Sequence, residues 1–167
     1  MDRLNCKLRD RAITLGLCQQ WQGEWMDGKS KDELVEMYVR GLDFCIEHNY
    51  PSNDFIAANF EPEVLHRNGV WLNERVVTCG VPNSVLVLNG CCTGVLKFGG
   101  YDVCTIYVRH DSEVEINADG VSKVFISVFD NAKVKVKQSD LAKVYVYKHG
   151  DKCVVGTDGD VRMRTSE

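Results

Sequence analysis

Residues 128–150 read VFDNAKVKVKQSDLAKVYVYKHG. The stretch says nearly the same thing twice: Asp130-Asn131-Ala132-Lys133-Val134-Lys135-Val136, then Ser139-Asp140-Leu141-Ala142-Lys143-Val144-Tyr145-Val146. From Ser84 onward the chain can be written in blocks of ten. Positions ending in 4 and 6 are mostly apolar, as in Cys104/Ile106, Val114/Ile116, Val124/Ile126, Val134/Val136 and Val144/Val146. Those ending in 2 are often small (Cys92, Ser112, Ser122, Ala132, Ala142), and those ending in 0 favour turns (Gly90, Gly100, Gly120, Asp130, Asp140, Gly150). Within a block the alternation has period two, which reads as a strand with one buried face. A fixed period repeated this often signals a repeat architecture.

Two arrangements compete. In an antiparallel meander or roll each block is one hairpin arm, and Asn89-Gly90 and Asp119-Gly120 are hairpin-type dipeptides. A two-residue loop at Asp119-Gly120, however, pairs Lys123 with Ile116 and sets a charge beside a core residue. The alternative is a β-solenoid with two strands per coil, in which residues twenty apart stack. One outer face then carries Val103, Thr105, Tyr107, Lys123, Phe125, Ser127, Lys143, Tyr145 and Tyr147. The other carries Glu113, Glu115 and Asn117 beside Lys133, Lys135 and Lys137, so that opposite charges meet on neighbouring strands. A twenty-residue repeat makes the two outer faces chemically distinct, and the small residues suit tight corners. The spacing favours the solenoid.

Before residue 77 the signals are helical. Ser30 and Glu33 form a capping-box pattern, and Leu34, Met37, Tyr38, Gly41, Phe44 and Cys45 follow at helical spacing to Asn49 and Pro51. Ser52 caps a second short helix that stops before Pro62, and Leu4, Leu8 and Ala12 mark an earlier one. Trp21 and Trp25 share a face, and Asn68-Gly69 between apolar flanks predicts a short hairpin near residues 63–73. The expected organisation is α+β: a helical cap or docking segment over 1–76, closing one end of a two-strand-per-coil β-solenoid over 77–167. Helix, turn and helix around "NYPS" lack the basic second helix that DNA binding needs.

The segment "DGVSKVFISVFDNAKVKVKQSDLAKVYVY", residues 119–147, resembles the S/A-K-V-x-V repeats of short bacterial β-solenoids, such as bactofilin-like filament proteins and head-GIN-type adhesin domains. Together with the helical front, the chain is similar to small proteins of Bacteroidales phages and mobile elements that carry a C-terminal β-solenoid. The resemblance implies an architecture and transfers no catalytic residue. It also suggests a regulator or anti-defence factor that sequesters a host protein or a small signal molecule.

The 167 residues carry a net charge of −4, with 44% hydrophobic and 26% charged residues, as in a globular protein. The first 78 residues hold 9 Lys/Arg against 13 Asp/Glu, which argues against nucleic acid as a partner. "MDRLNCKLRDRAITLG" has no apolar signal-peptide core, and no apolar run is long enough to span a membrane. A cytoplasmic location is expected. The eight cysteines include no C-x-x-C pair and the four histidines are scattered, so neither zinc nor disulfides are expected and most thiols read as reduced core residues.

No catalytic, cofactor or metal motif stands out. Glu113 and Glu115 could form a glycosidase pair, Cys91 or Cys92 a thiol nucleophile with His110 as base, and Asp158 and Asp160 a cation loop. A salt-bridged ladder, a corner and a turn account for them more simply. The expected function is non-enzymatic binding or assembly with no cofactor, through self-association or docking on a protein partner, the C-terminal solenoid edge being one place where a second copy could join. The candidate face comprises Tyr107, Lys123, Phe125, Lys143, Tyr145 and Tyr147. A carbohydrate-active enzyme is the weaker alternative.

Overall fold

A computed structural model describes residues 3–25, 28–79 and 83–166, and of Cys79 only the backbone. The chain divides into two compact units, Met1–Asn68 and Gly69–Glu167.

The first unit holds α1 (Arg3–Thr14), α2 (Gln19–Glu24), α3 (Lys31–Arg40), α4 (Leu42–His48), α5 (Asn53–Asn59) and α6 (Pro62–Arg67). The capping box forms as its residue types dictate. Ser30 Oγ accepts from the Glu33 N–H, and the Glu33 carboxylate accepts from the Ser30 N–H at 2.7 Å. Asn49 ends α4 in the left-handed region, and Ser52 caps α5 by accepting from the Phe55 N–H. The single helix expected from Ser30 to Asn49 is interrupted at Gly41, a residue of low helix propensity, although its N–H still donates to the Met37 carbonyl.

The hairpin expected near residues 63–73 is not there. Pro62 opens α6 at a position where its missing N–H costs nothing, rather than merely stopping α5. Asn68 then ends that helix, and Gly69 leads into a solenoid strand at φ 77°. A Cβ on Gly69 would lie 2.3 Å from the Val85 carbonyl oxygen, so glycine is required by the close approach as well as by the dihedral. The solenoid therefore begins at residue 69 rather than 77.

The second unit is a parallel β-solenoid of about five turns. Its strands are β1 (Val70–Leu72), β2 (Arg75–Cys79), β3 (Val85–Asn89), β4 (Thr93–Phe98), β5 (Val103–Val108) and β6 (Glu113–Ala118). They continue as β7 (Lys123–Val128), β8 (Lys133–Gln138), β9 (Lys143–His149), β10 (Val154–Asp158) and β11 (Val161–Ser166). Odd-numbered strands make one sheet, in the order β1-β3-β5-β7-β9-β11, and even-numbered strands the other, β10-β8-β6-β4-β2. Every strand pairing is parallel, which removes the meander. In the central coils the register step is twenty residues, as in Val103↔Lys123↔Lys143 and Glu113↔Lys133.

Inward side chains stack in columns. Leu86, Ile106, Ile126 and Val146 form one, with Ile106 and Ile126 fully buried. Each such side chain contributes roughly 1.5–3 kcal/mol by leaving water. Phe98 lies over Ala118 in the second sheet, so a large residue is accommodated by a small one on the next coil.

The corners explain the residues ending in 0. From 90 to 150 every one of them has a positive φ, including the non-glycines His110, Asp130 and Asp140. Histidine and aspartate are among the residues that tolerate this region. Side chains from the following coil help hold the turns. The Gly90 N–H donates to His110 Nδ1 at 3.0 Å, the His110 N–H to Asp130 Oδ2 at 3.0 Å, and the Gly120 N–H to Asp140 Oδ2 at 3.2 Å. Positions ending in 2 point inward with no room for bulk, and Cys92, Ser112, Ser122 and Ala132 are fully buried. The turn dipeptides that resembled hairpin signals thus serve solenoid corners, because both structures need a left-handed residue.

Candidate interaction surface

The solenoid presents two outer faces built by one rule. On the even-numbered sheet, Glu113 lies opposite Lys133 and Glu115 opposite Lys135, as the twenty-residue repeat predicts. The ion pairs are Lys133–Glu113 at 3.9 Å and Lys137–Glu115 at 3.0 Å, the second formed diagonally rather than straight across. The Lys137 hydrogen bond holds the Glu115 carboxyl below its ordinary value. Carboxylates on this face are thus met by lysines of the next coil.

The odd-numbered sheet places all six candidate residues, Tyr107, Lys123, Phe125, Lys143, Tyr145 and Tyr147, on one outer face. Its central column runs Thr105, Phe125, Tyr145 and Arg162. Phe125 and Tyr145 stack with ring centroids 5.2 Å apart and planes 10° apart, and the Arg162 guanidinium sits 5.6 Å from the Tyr145 centroid. The next column runs Tyr107, Ser127, Tyr147 and Arg164. Along the edge, Tyr107 stacks on Phe129, and Phe129 on His149 at 4.3 Å. Tyr107, Phe125 and Tyr145 are half-buried in these ladders, while Lys123, Lys143 and Tyr147 are exposed.

The charge on this face is unbalanced. Lys123 and Lys143 are direct register partners, and Arg162 and Arg164 extend the face onto the last strand. None of its outward strand positions from β5 to β11 carries a carboxylate, and among the described residues neither Lys123 nor Lys143 makes an ion pair. Like charges directly opposite each other on neighbouring strands are destabilising. The fold therefore gives no reason for that pair of lysines, whereas Lys133 and Lys137 of the other sheet each meet a glutamate.

Phe129, His149, Arg162 and Arg164 belong to this surface and were not legible in the period-ten reading. The last coil is shortened: β11 pairs with β9 at a step of seventeen, so Arg162, not residue 165, continues the Tyr145 column. Phe129 and His149 sit at corner positions ending in 9, where a repeated planar residue was the available signal.

No family model, curated protein or solved structure matches this chain. The site must therefore be read from its own geometry.

Several residues of the other constellations are engaged by the fold itself. Cys92 is buried with its thiol pushed up, and burial takes the Cys104 thiol up to about 12, so both are inert. Cys45 and Cys153 are buried as well, whereas Cys18 and Cys91 are exposed; the side chain of Cys79 lies outside the described residues. His110, read as a possible base for a neighbouring thiol, uses Nδ1 to accept from the Gly90 N–H. The Asp160 N–H donates to Gln138 Oε1 at 2.8 Å, placing the Asp158–Asp160 turn in the solenoid wall. Among the described residues no group of His, Cys, Asp and Glu is arranged to hold a metal, and no helix is long and apolar enough to cross a membrane.

Proposed function

We propose that this chain is a non-enzymatic binding protein that docks an acidic segment of a protein partner on the outer face of the odd-numbered sheet. The observation that carries the reading is the Lys123–Lys143 register pair, beside the Phe125–Tyr145–Arg162 stack, on a face without carboxylates. Stacked rings in a parallel sheet are held rigid before any partner arrives, so little ordering entropy opposes binding. Aromatic residues and arginine are also the side chains over-represented at binding hot spots. The cations select an acidic partner and speed its encounter, and the rings supply the desolvated contact.

A second copy of the chain is the alternative partner, because residues 1–68 hold 12 Asp/Glu against 8 Lys/Arg. Affinity capture from cells with the full chain, with a Lys143→Glu/Tyr145→Ser double variant and with a Lys135→Ala control tests the proposal. A protein retained by the parent and the control but lost by the double variant is the expected result. Equal retention by all three contradicts the assignment of this face. Sedimentation over a range of concentrations identifies the partner as self if the double variant alone stays monomeric.

A further inference from the structure

The helical unit carries a second, separate feature. Several of its charged side chains are paired within the unit: Lys31 with Glu61, Arg40 with Glu24, Arg67 with Asp32, and Arg9 with the adjacent Asp10. Lys7 and Arg11 take no part in these pairs. They lie one turn apart on α1, on one side of the helix, and among the described residues neither makes an ion pair.

Both line a cleft of about 250 Å³ between α1 and the α4–α5 connection, shared with His48 and Ser52. No lining residue is acidic, although the unit as a whole is rich in carboxylates. Ser52 Oγ accepts from the Phe55 N–H at 3.2 Å and keeps its own hydrogen to donate. The Tyr50 hydroxyl donates to the Leu8 carbonyl oxygen, fixing the α4–α5 connection against α1. Leu8, Leu15, Pro51 and Phe55 give the cleft an apolar side, and Asn49 also lines it.

We infer that this cleft binds a small organic phosphate: a phosphomonoester whose substituent is no larger than a single ring. Four donors of different reach line the cleft without a carboxylate among them. Arginine presents a planar fork suited to a phosphate, lysine adds a point charge, and histidine and serine donate single hydrogen bonds. The apolar wall explains why the ligand is organic rather than a bare ion, and the volume, below that of most drug-sized sites, limits its size. The inference is independent of the solenoid face.

The probe is phenyl phosphate, titrated into the full chain and followed by NMR. Saturable shifts confined to His48, Tyr50 and Phe55 and their neighbours are expected, with inorganic phosphate binding more weakly. Arg11→Gln should weaken phenyl phosphate about tenfold, the scale of one charge-assisted hydrogen bond, while Lys97→Gln on the solenoid leaves it unchanged. Lys7→Gln provides a second variant should Arg11→Gln unfold the unit. Absence of saturable shifts, or equal affinity in the Lys7 and Arg11 variants and the parent, would overturn the site. Equal affinity for inorganic and phenyl phosphate would overturn the assignment of an organic ligand.

Discussion

The two outer faces of the solenoid share one backbone, one repeat and one core, yet they are finished differently. On the even-numbered sheet Lys133 and Lys137 reach Glu113 and Glu115 of the previous coil. On the odd-numbered sheet Lys123 faces Lys143, and the rings of Phe125 and Tyr145 stack beside them. The repeat meets both glutamates of one wall with lysines, whereas the strand positions of the other, from β5 to β11, carry cations and no carboxylate. The second wall is the one left without any counter-charge of its own, which is why binding is proposed there.

The comparison can be broken most severely through the core both faces share. Ile126 is fully buried between Ile106 and Val146. Ile126→Ala should cost about 2–5 kcal/mol in chemical denaturation, the range for a truncated core aliphatic. A loss below about 1 kcal/mol would mean that the columns do not carry the fold.

A smaller effect comes from the corner that joins β5 to β6. Burial, and then the neighbouring Arg109 charge, hold the His110 imidazole below its ordinary value, against the opposing pull of Asp130 and Asp111. Because the folded value is lowered, the unfolded chain takes up the proton first. Stability is complete above about pH 6.5 and falls as the pH drops from there toward the folded value. His149, lowered by burial, adds in the same direction. His110→Asn keeps a residue that tolerates positive φ and an oxygen for the Gly90 N–H. It should flatten the pH dependence of the melting temperature below pH 6.5; an unchanged slope would remove His110 as its source.

The smallest effect separates the faces directly. Lys137→Ala removes the 3.0 Å contact to Glu115 and should lower stability slightly, well under the core variant, while releasing the Glu115 carboxyl upward toward its ordinary value. NMR titration of Glu115 reads the second quantity, and no upward movement would show that the diagonal pair is not formed in solution.

The sequence made the central coils legible because their step is an even twenty residues, which keeps inward and outward positions in fixed decades. Both chemical faces, the small corner residues and all six candidate residues follow from that arithmetic. The end coils were hidden by steps of seventeen, eighteen and twenty-one, as in Val70↔Val87, Arg75↔Thr93 and Val154↔Lys133. Their two-residue corners at Asn73-Glu74 and Gly159-Asp160 shift the register and carry Arg162 and Arg164 into the aromatic columns. In the helical unit, Pro62 has two meanings, stopping one helix and starting the next, and Asn68-Gly69 serves a helix end as readily as a hairpin. The phosphate cleft joins residues forty positions apart, a proximity that no local pattern encodes.

The most direct test of the account is Lys143→Glu, measured for stability and for partner binding in the same preparation. The substitution places a carboxylate opposite Lys123 and converts the unbalanced face to the pattern of the balanced one. The account predicts that the two readings diverge: stability rises by up to about 1 kcal/mol while capture of the acidic partner is lost. Retained binding, or a loss of stability, would contradict the claim that this wall keeps its uncompensated charge for a partner.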